Sequence, residues 1–307
     1  MKVLVTGGSG MVGKNLITSS KFSSFQILAP TSSELNLKEL GLVDMYLKKH
    51  RPDVIVHAAG LVGGIQANME NPVGFLVDNL DMGKNIILSA KKHGVKNLIN
   101  LASSCMYPRN AENPLKESLI LQGELEPTNE GYALAKIICT RLCEYITNAK
   151  EGFTYKTIIP CNLYGKYDKF DPQKSHMIPA VIRKIVEAKQ KGRSTVEIWG
   201  DGLAKREFMY VEDLVDFIHY ALSKLTEMPQ NINVGLGYDY SINEYYQAIA
   251  NVIGYKGRFT HDLTKPVGMK QKVIDTKLLN EFGWKSKTSL EDGITKTLQY
   301  YKTLSND

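Results

Sequence analysis

Tyr132 and Lys136, which lie four residues apart in the stretch EGYALAKII, are well suited to acid–base chemistry. The stretch is typical of a helix, and residues four apart share a helix face. A phenol has a pKa near ~10, and an ammonium group beside it favours the phenolate. The pair therefore predicts an acid–base group that works near neutral pH, with a lysine that also holds a nicotinamide ribose. A lone pair at this spacing is more often part of a helix surface.

Two serines stand where a further group of such a site would be needed. The stretch NLINLASSCMYP indicates a buried strand that ends at Ser103 and Ser104. A hydroxyl group at the end of a strand can donate a hydrogen bond to the carbonyl oxygen of a substrate. Strand-end serines followed by the tyrosine–lysine pair predict chemistry at a carbonyl group, with Ser103 bound to its oxygen.

The first predicted strand, KVLVT, runs directly into TGGSGMVGKNL, which places Gly7, Gly10 and Gly13 three residues apart. Glycines at a strand-to-helix turn let the backbone approach a pyrophosphate, which free N–H groups and the positive end of the helix stabilise. A glycine-rich turn without a ligand is the alternative, but a position at the first turn of a parallel sheet favours dinucleotide binding. Met11 and Val12 in this turn are further candidate cofactor residues.

The end of the second predicted strand bears on which dinucleotide binds. An acidic residue there would bind the 2′-hydroxyl group of NAD, but QILAPTSSELNL has Pro30, Thr31, Ser32 and Ser33 in its place. Hydroxyl groups tolerate a 2′-phosphate, and Lys14 is a candidate counter-charge. We therefore predict NADP as the cofactor, used as NADPH.

Short apolar runs alternate with amphipathic stretches through the first half of the chain. The runs KVLVT, QILA, DVIVHAA, NLINLAS and YKTIIPCN indicate strands, and helix-like segments separate them. Continuous apolar strands separated by helices are typical of a parallel sheet that is covered on both faces. The pattern predicts a doubly wound α/β fold of the Rossmann type.

A second, smaller α/β unit is predicted after Gly165, where KYDKFDPQKSH is polar and rich in turn residues. A helix is predicted over 177–191, and Ser241 with Glu244 forms a capping box before a later helix. The stretch YVEDLVDFIHYAL is typical of a helix that returns to the first unit. We expect an NADP-binding domain over 1–165 and 208–235, and a substrate domain over 166–207 and 236–307.

The composition is that of an ordinary globular protein with a mild basic excess. Of the 307 residues, 43% are hydrophobic and 23% are charged, and the formal net charge of +6 comes from cations scattered along the chain. Scattered charge does not indicate nucleic acid binding, although it suits a nucleotide diphosphate. The four cysteines form no metal-type cluster, and no signal peptide or apolar run of membrane-spanning length is recognisable. We expect a cytoplasmic protein with reduced thiols, no metal and no membrane segment.

Several motifs carry a resemblance to a known family. They are VGGI at 62–65, SSCMYP at 103–108, LEPTNEGYALAK at 125–136, CNLYGKYDKFDPQKSHMIPA at 161–180 and IWGDGLAKREFMYVEDL at 198–214. With the glycine turn, they resemble the extended short-chain dehydrogenase/reductase family and, within it, the GDP-L-fucose synthases. The resemblance covers nearly the whole chain, through NINVG and KPVGMKQKVID. It implies a GDP-linked 4-keto sugar as substrate, epimerised at C3 and C5 and reduced at C4 with NADPH.

The resemblance implies that one set of side chains serves both steps. A ketone at C4 acidifies the neighbouring C–H bonds, so a base and an acid on opposite faces can invert each centre through an enolate. By motif, Ser103 binds the carbonyl oxygen, Tyr132 donates the proton at C4 and Lys136 orients the ribose. Cys105 corresponds to the epimerisation base and His176 to the acid opposite it. Otherwise, such a cysteine is a small buried residue and such a histidine is a helix cap.

The resemblance also implies residues for the nucleotide end. Arg206 in KREF corresponds to an arginine that contacts GDP, and Lys272 in KQKVID to a lysine near the diphosphate, although either is otherwise an ordinary solvated cation. The candidate substrate-binding residues are Ser104, Asn162, Arg183, Lys184, Trp199, Arg206 and Lys272. The candidate cofactor-binding residues are Gly7, Gly10, Met11, Val12, Gly13, Ser32, Ala58, Ala59, Asn79, Tyr132, Lys136, Asn162 and His176.

Some positions depart from the family pattern. Ser9 and Ser32 stand where some members have arginines for the 2′-phosphate, and Lys169 stands where asparagine is common, close to the sugar pocket. The last departure leaves the sugar open, because close relatives reduce GDP-linked 4-keto-heptoses, some without epimerisation. The residues also fit an NAD-dependent nucleotide-sugar 4-epimerase or a non-catalytic protein with the same fold. The family also implies a homodimer formed through helices of the sheet domain.

Overall fold

The computed structural model describes residues 1–171, 175–265 and 269–304. The parts of the quoted motifs at 172–174 and 266–268 lie outside the described residues. The same is true of residues 305–307, the end of the expected substrate domain.

The strands are short, with two to seven residues each. They are β1 (Lys2–Thr6), β2 (Gln26–Leu28), β3 (Val54–His57), β4 (Asn97–Leu101), β5 (Thr154–Pro160), β6 (Asn162–Tyr164), β7 (Thr195–Trp199), β8 (Lys205–Arg206), β9 (Phe208–Tyr210), β10 (Asn231–Val234), β11 (Tyr240–Ser241), β12 (Arg258–Asp262) and β13 (Gln271–Lys272).

Helices connect the strands of the first half and predominate towards the end of the chain. They are α1 (Met11–Thr18), α2 (Leu40–His50), α3 (Ile65–Glu70), α4 (Pro72–Lys92), α5 (Glu130–Asn148), α6 (Met177–Gln190), α7 (Val211–Ser223), α8 (Ile242–Ile253), α9 (Lys277–Glu281) and α10 (Leu290–Leu304). Among the described residues, no helix combines the length and the apolar character needed to cross a bilayer.

Six strands form one parallel sheet in the order β10-β5-β4-β3-β1-β2. The inner strands are apolar and buried because helices cover both faces. The chain passes from β1 to β2 on one side and then to β3 on the other, so the strand order reverses between β1 and β3. Ligands of open α/β sheets bind beyond the carboxyl ends of the strands at such a point. This confirms the predicted doubly wound fold.

The predicted elements lie close to those observed. The helix predicted over 177–191 is α6, and the capping box at the start of α8 is present. In that box Ser241 accepts a hydrogen bond from the Glu244 N–H at 3.2 Å, and Glu244 accepts one from the Ser241 N–H at 2.7 Å. The predicted strand YKTIIPCN divides into β5 and β6. It divides after Pro160, which has no N–H to donate, and β6 pairs with β9 instead.

The later elements pack around a separate buried cluster. Ile182 of α6, Tyr245 and Ile249 of α8 and Ile294 of α10 belong to it. By contrast, β10 lies in the large sheet beside β5, and α7 packs against α1. The division of the chain into two domains stays a prediction.

All four cysteines are free and buried. Cys139 and Cys143 lie on α5 and pack into the core on one face of the large sheet, as the sequence predicted. Cys105 and Cys161 belong to the core on the other face.

A row of polar side chains crosses the large sheet. Thr6, His57, Asn100, Thr157 and Asn231 occupy paired positions on five adjacent strands. The Oγ1 atom of Thr6 lies 2.8 Å from Nδ1 of His57, and Nδ2 of Asn100 donates to Oγ1 of Thr157 at 3.4 Å. Burial lowers the pKa of His57 from 6.5 to about 3. His57 is therefore neutral, and its hydrogen bond to Thr6 compensates for its burial.

Burial of neutral His57 makes stability depend on pH. Because the pKa of His57 is about 3 in the folded protein and 6.5 without burial, the unfolded chain binds the proton more readily between those values. This contribution to stability is fully present above pH 6.5. Below that pH, the free energy of unfolding falls by up to ~1.4 kcal/mol per pH unit. Denaturant unfolding over this range should give a shallower pH slope for His57→Gln, and equal slopes contradict the prediction.

Candidate active site

The turn after β1 is closed by contacts that glycine permits. Gly7 has a φ of +74°, and a Cβ there would lie 2.7 Å from the Cα of Ala59. A Cβ on Gly13 would lie 2.2 Å from the carbonyl oxygen of Gly7. Gly10 differs, because a Cβ there would meet nothing nearer than the Gly7 oxygen at 3.4 Å. Gly7 and Gly13 are therefore needed for packing, whereas Gly10 leaves space beside the turn.

Helix α1 begins at this turn without a side-chain cap. Its N-cap residue is Gly10, and its first turn, which includes Met11 and Val12, has no acidic residue. The free N–H groups and the positive end of the helix dipole are suited to bind an anion. This part of the site therefore fits the pyrophosphate of a dinucleotide.

The loop after β2 carries the residues expected near the adenosine ribose. Ser32 is exposed. The N–H and the hydroxyl group of Thr31 donate to the carboxylate of Glu34 at 2.7 and 2.9 Å. The negative charge of Glu34 is therefore bound within the loop. The Nζ atom of Lys14 lies 5.5 Å from the ring centre of Tyr167. Ser32 therefore remains accessible to a 2′-phosphate, whereas Lys14 rests on an aromatic ring.

The loop after β3 forms the other side of the crevice. Ala58 and Ala59 are half-buried there, and the Ala59 N–H donates to Oγ1 of Thr6 at 3.4 Å. Asn79 of α4 accepts from the Leu61 N–H at 2.9 Å and donates to the Leu61 carbonyl oxygen at 3.1 Å. Both the oxygen and the nitrogen of the Asn79 side-chain amide are thus bonded to the main chain, and the residue shapes this loop.

Ser103, Tyr132 and Lys136 come together at the carboxyl end of β4. Ser103 follows that strand, and its hydroxyl group interacts with the hydroxyl group of Tyr132 on α5. Lys136 is buried, and its Nζ donates to the carbonyl oxygen of Leu101 at 2.9 Å. The same Nζ lies 5.7 Å from the centre of the Tyr132 ring, which also contacts Phe75 of α4 edge to face. The structure therefore brings together the three residues that the sequence pattern indicated.

The electrostatics of Tyr132 differ from the expectation. We expected Lys136 to lower its pKa, but burial raises the pKa of Tyr132 above the ordinary value of 10, Cys105 adds to the rise and Ser103 opposes it. Burial also lowers the pKa of Lys136. The expectation is wrong for this structure because burial is the largest influence on the phenol. Tyr132 is a neutral phenol that carries the proton which a carbonyl oxygen needs on reduction.

Cys105 lies in the short turn after Ser103 and is 6% exposed. Burial raises the pKa of its thiol, whereas Lys272, the Ser103 hydroxyl group and Lys136 lower it. Its neighbour Ser104 is only 3% exposed. The Cys105 thiol is therefore within the electrostatic influence of Lys272, one of the cations expected at the nucleotide end.

The two cations expected near a diphosphate lie side by side. Arg206 of β8 and Lys272 of β13 are paired residues in a three-stranded sheet of order β11-β8-β13. Burial lowers the pKa of both side chains. The negative charge of Glu126 raises the pKa of both side chains, and that of Asp239 raises the pKa of Arg206. Two adjacent, half-buried cations are suited to bind a diphosphate.

Glu207, to which no sequence pattern pointed, connects the segments that carry these cations. Its carboxyl group accepts hydrogen bonds from the N–H groups of Leu236, Gly237 and Ile274 at 2.5, 2.9 and 2.9 Å. Burial raises the pKa of Glu207 to about 7, while these three bonds lower it. The sequence feature that could have pointed to Glu207 is its position as an acidic residue in the otherwise apolar stretch EFMY, directly after Arg206.

His176 is the N-cap residue of α6 and is half-buried. Burial lowers its pKa, and the positive charge of Lys169 lowers it further, so its imidazole is neutral at neutral pH. Asn162 of β6 donates from Nδ2 to the Glu207 carbonyl oxygen at 2.9 Å. The amide of Asn162 thus joins β6 to the strand segment that carries Arg206.

Arg183 and Lys184 form a second cationic group on α6. The Nζ atom of Lys184 donates to the carbonyl oxygen of Glu197 on β7, which links the helix to this strand. Trp199, at the end of β7, is 57% exposed, and Nζ of Lys265 lies 5.6 Å from its ring centre. This group offers cations and an accessible aromatic face.

Comparisons with known proteins agree with this geometry. The NAD dependent epimerase/dehydratase family matches residues 3–235. The chain belongs to this family. It is 58% identical to GDP-L-colitose synthase of Yersinia pseudotuberculosis over 307 residues, which is 100% of both chains. It is 51% identical to GDP-L-fucose synthase of Azorhizobium caulinodans, over 98% of this chain and 96% of that protein.

A solved structure with a bound cofactor has a similar fold. The GDP-mannoheptose C4 reductase of Campylobacter jejuni with NADP bound has a TM-score of 0.89 and 29% identity, and the match covers 98% of each chain. The full-length similarity to the two synthases confirms the resemblance to the GDP-L-fucose synthases. It also includes β13 and Lys272, which lie beyond the family match.

Two glycine variants separate packing from ligand binding. We expect Gly10→Ala to fold normally, because the nearest atom to the added methyl group lies at 3.4 Å. It should weaken NADPH binding about tenfold, because the methyl group occupies space that a pyrophosphate would approach. NADPH titration by fluorescence, with thermal unfolding of the free protein, measures both properties.

Gly13→Ala is the contrasting variant. Its Cβ would lie 2.2 Å from the Gly7 oxygen, so we expect a loss of roughly 1–3 kcal/mol of stability before any ligand is added. An undiminished NADPH affinity in Gly10→Ala, or an equal loss of thermal stability in both variants, contradicts the assignment.

Proposed function

We propose that this protein epimerises the ring of a GDP-linked 4-keto-6-deoxy sugar and reduces it at C4 with NADPH. The observation that carries the proposal is the position of Cys105, whose N–H donates to Oγ of Ser103 at 3.4 Å and whose thiol is close enough to Tyr132 to raise the pKa of that phenol. A reduction alone needs the hydroxyl groups, whereas inversion of carbons beside a ketone needs a base as well. The full-length identity of 58% to a GDP-L-colitose synthase supports the same conclusion.

The residues at the carboxyl edge of the large sheet fit NADPH. The uncapped start of α1 at Gly10 would hold the pyrophosphate, and the exposed Ser32 would bind the 2′-phosphate. Lys136 would orient the nicotinamide ribose. The relative solved with NADP supports this choice. When bound, the reduced cofactor supplies a hydride.

Ser103 and Tyr132 act on the oxygen at C4. Their hydroxyl groups donate hydrogen bonds to it, which stabilises the negative charge of an enolate during epimerisation. Because Tyr132 is a neutral phenol, it can then give its proton to the same oxygen as the ketone becomes an alcohol. Lys136 stabilises the resulting phenolate and is itself held by the Leu101 carbonyl oxygen.

Cys105 is the proposed base of the epimerisation, and His176 is the proposed acid. As a thiolate, Cys105 removes the proton from a carbon next to the ketone, and the electron pair of that C–H bond moves into the enolate. Lys272 and Lys136 favour the thiolate against the effect of burial. A solvent proton that binds the neutral imidazole of His176 is then passed to the opposite face of the same carbon, which completes the inversion and returns His176 to its neutral form.

The GDP portion would bind to the two cationic groups. Arg206 and Lys272 would contact the diphosphate, with Arg183 and Lys184 as further contacts. The exposed ring of Trp199 would offer a face for the guanine.

A second candidate is C4 reduction of a GDP-4-keto-heptose without epimerisation. The likeness to a GDP-mannoheptose C4 reductase favours it. So does Lys169, which lies close enough to His176 to influence its pKa. The higher identity to the two synthases places it second.

We also propose a cytoplasmic homodimer. Helices α4 and α5 pack against each other, and both expose apolar side chains. These side chains are Val73, Val77, Leu88, Ile138 and Tyr145. A second copy of the chain would bury them.

The reduction is tested by following the absorbance of NADPH. We expect oxidation of NADPH with GDP-4-keto-6-deoxymannose or with its 3-deoxy form, which are compared because colitose lacks the C3 hydroxyl group of fucose. Tyr132→Phe removes the proton donor and should lower kcat roughly a thousandfold, while the NADPH Kd stays the same. No oxidation by the wild-type protein with either sugar or with the heptose analogue contradicts the proposal. Tightly held NAD in the purified protein would instead favour the 4-epimerase.

Cys105→Ser separates epimerisation from reduction. In deuterated water, we expect the wild-type product to carry solvent deuterium at the inverted carbons. The variant should still oxidise NADPH, because Ser103 and Tyr132 remain, but its product should carry no deuterium and keep the substrate configuration. NMR of the products measures both properties. A wild-type product without deuterium would favour the heptose-type reductase.

A further inference from the structure

We propose that Glu207 is a positioning residue for the GDP end of the substrate. It joins the segments that carry Arg206 and Lys272 and so sets the separation of the two cations. The inference rests on the proposed function, in which this pair binds the diphosphate of GDP.

Glu207 lies on the inner side of the segment that carries Arg206. Successive side chains of an extended segment point to opposite sides. Glu207 is 1% exposed, whereas Arg206, directly before it, is half-buried. The carboxyl group therefore faces the core, while the guanidinium group lies on the side that a ligand can reach.

The carboxyl group reaches across to two other segments of the chain. Oε2 accepts from the N–H of Ile274, which lies two residues beyond Lys272. Oε1 accepts from the N–H groups of Leu236 and Gly237, which follow β10 of the large sheet. One side chain thus ties the end of β13 and the end of β10 to the β8–β9 segment.

These bonds control the distance between the two cations. Arg206 and Lys272 are paired residues of β8 and β13, and both strands are only two residues long. So short a pairing holds poorly by itself, because few backbone hydrogen bonds support it. Loss of the carboxylate would also leave buried N–H groups without an acceptor.

The packing around the carboxyl group leaves little room for another arrangement. A Cβ on Gly235 would lie 2.3 Å from Oε1 of Glu207 and 3.1 Å from Sγ of Cys161. The three hydrogen bonds to this carboxyl group all come from main-chain N–H groups. Glu207 therefore acts through backbone geometry, as residues that support ligand-binding groups commonly do.

The test is calorimetric titration of GDP, and separately of NADPH, into the wild-type protein and Glu207→Gln. Glutamine keeps the shape but turns an NH₂ group towards N–H donors. We expect the Kd for GDP to rise about tenfold or more. The Kd for NADPH should change by less than about twofold, and KM for the keto sugar should rise by a larger factor than kcat falls.

Asp213→Asn is the matched control. Asp213 is 5% exposed and accepts hydrogen bonds from the N–H and the hydroxyl group of Thr288 at 3.0 and 2.9 Å. This variant should lower thermal stability and leave GDP affinity near the wild-type value. In a Lys272→Met background, Glu207→Gln should weaken GDP binding by a smaller factor than it does in the wild type, because one of the cations it positions is gone.

Each outcome supports or overturns the proposal. If Glu207→Gln does not fold, Glu207→Asp replaces it with the same expectation, because its shorter side chain cannot reach both segments. Unchanged GDP affinity, a parallel loss of NADPH affinity or an equal loss of GDP affinity in Asp213→Asn overturns the positioning role and leaves the proposed function intact. Wild-type protein that binds NADPH but not GDP overturns the proposed function, and the positioning role with it.

Discussion

The hydrogen bond from Lys136 to the Leu101 carbonyl oxygen, 2.9 Å long, is the interaction on which the candidate site depends. It joins α5 to the end of β4 and so holds Tyr132, one turn earlier on the helix, beside Ser103. A buried ammonium group is costly, and a hydrogen bond to a carbonyl oxygen offsets part of that cost. The same bond thus stabilises the packing of the helix and fixes the geometry of the reacting groups.

The carboxyl edge of the parallel sheet supplies the second constraint. Strands β1, β3 and β4 end there, which brings the glycine turn, the loop with Ala59 and the segment with Ser103 and Cys105 to one edge. Gly7 packs closely against Ala59, and no side chain caps the start of α1, which suits an anion. A dinucleotide site and a carbonyl site are neighbours because neighbouring strands end together.

The nucleotide end has a different construction. Arg206 and Lys272 lie on very short strands outside the large sheet, and the buried carboxyl group of Glu207 connects these strands to β10. Lys272 also influences the pKa of the Cys105 thiol. A cation that contacts the diphosphate would therefore also lower the pKa of the proposed base beside the sugar. The charge of Lys272 would thus influence both ends of the substrate.

The sequence by itself determined the doubly wound fold, helix α6, the capping box of Ser241 and Glu244, and the grouping of Ser103 with Tyr132 and Lys136. These features depend on residues a few positions apart or on a regular alternation of strands and helices, and such patterns are visible along a chain. Only the tertiary structure decided that burial raises the pKa of Tyr132, and that Glu207 ties the segments of the two cations together. Burial and contacts between distant segments exist only after the chain has folded, so no local pattern of residues contains them.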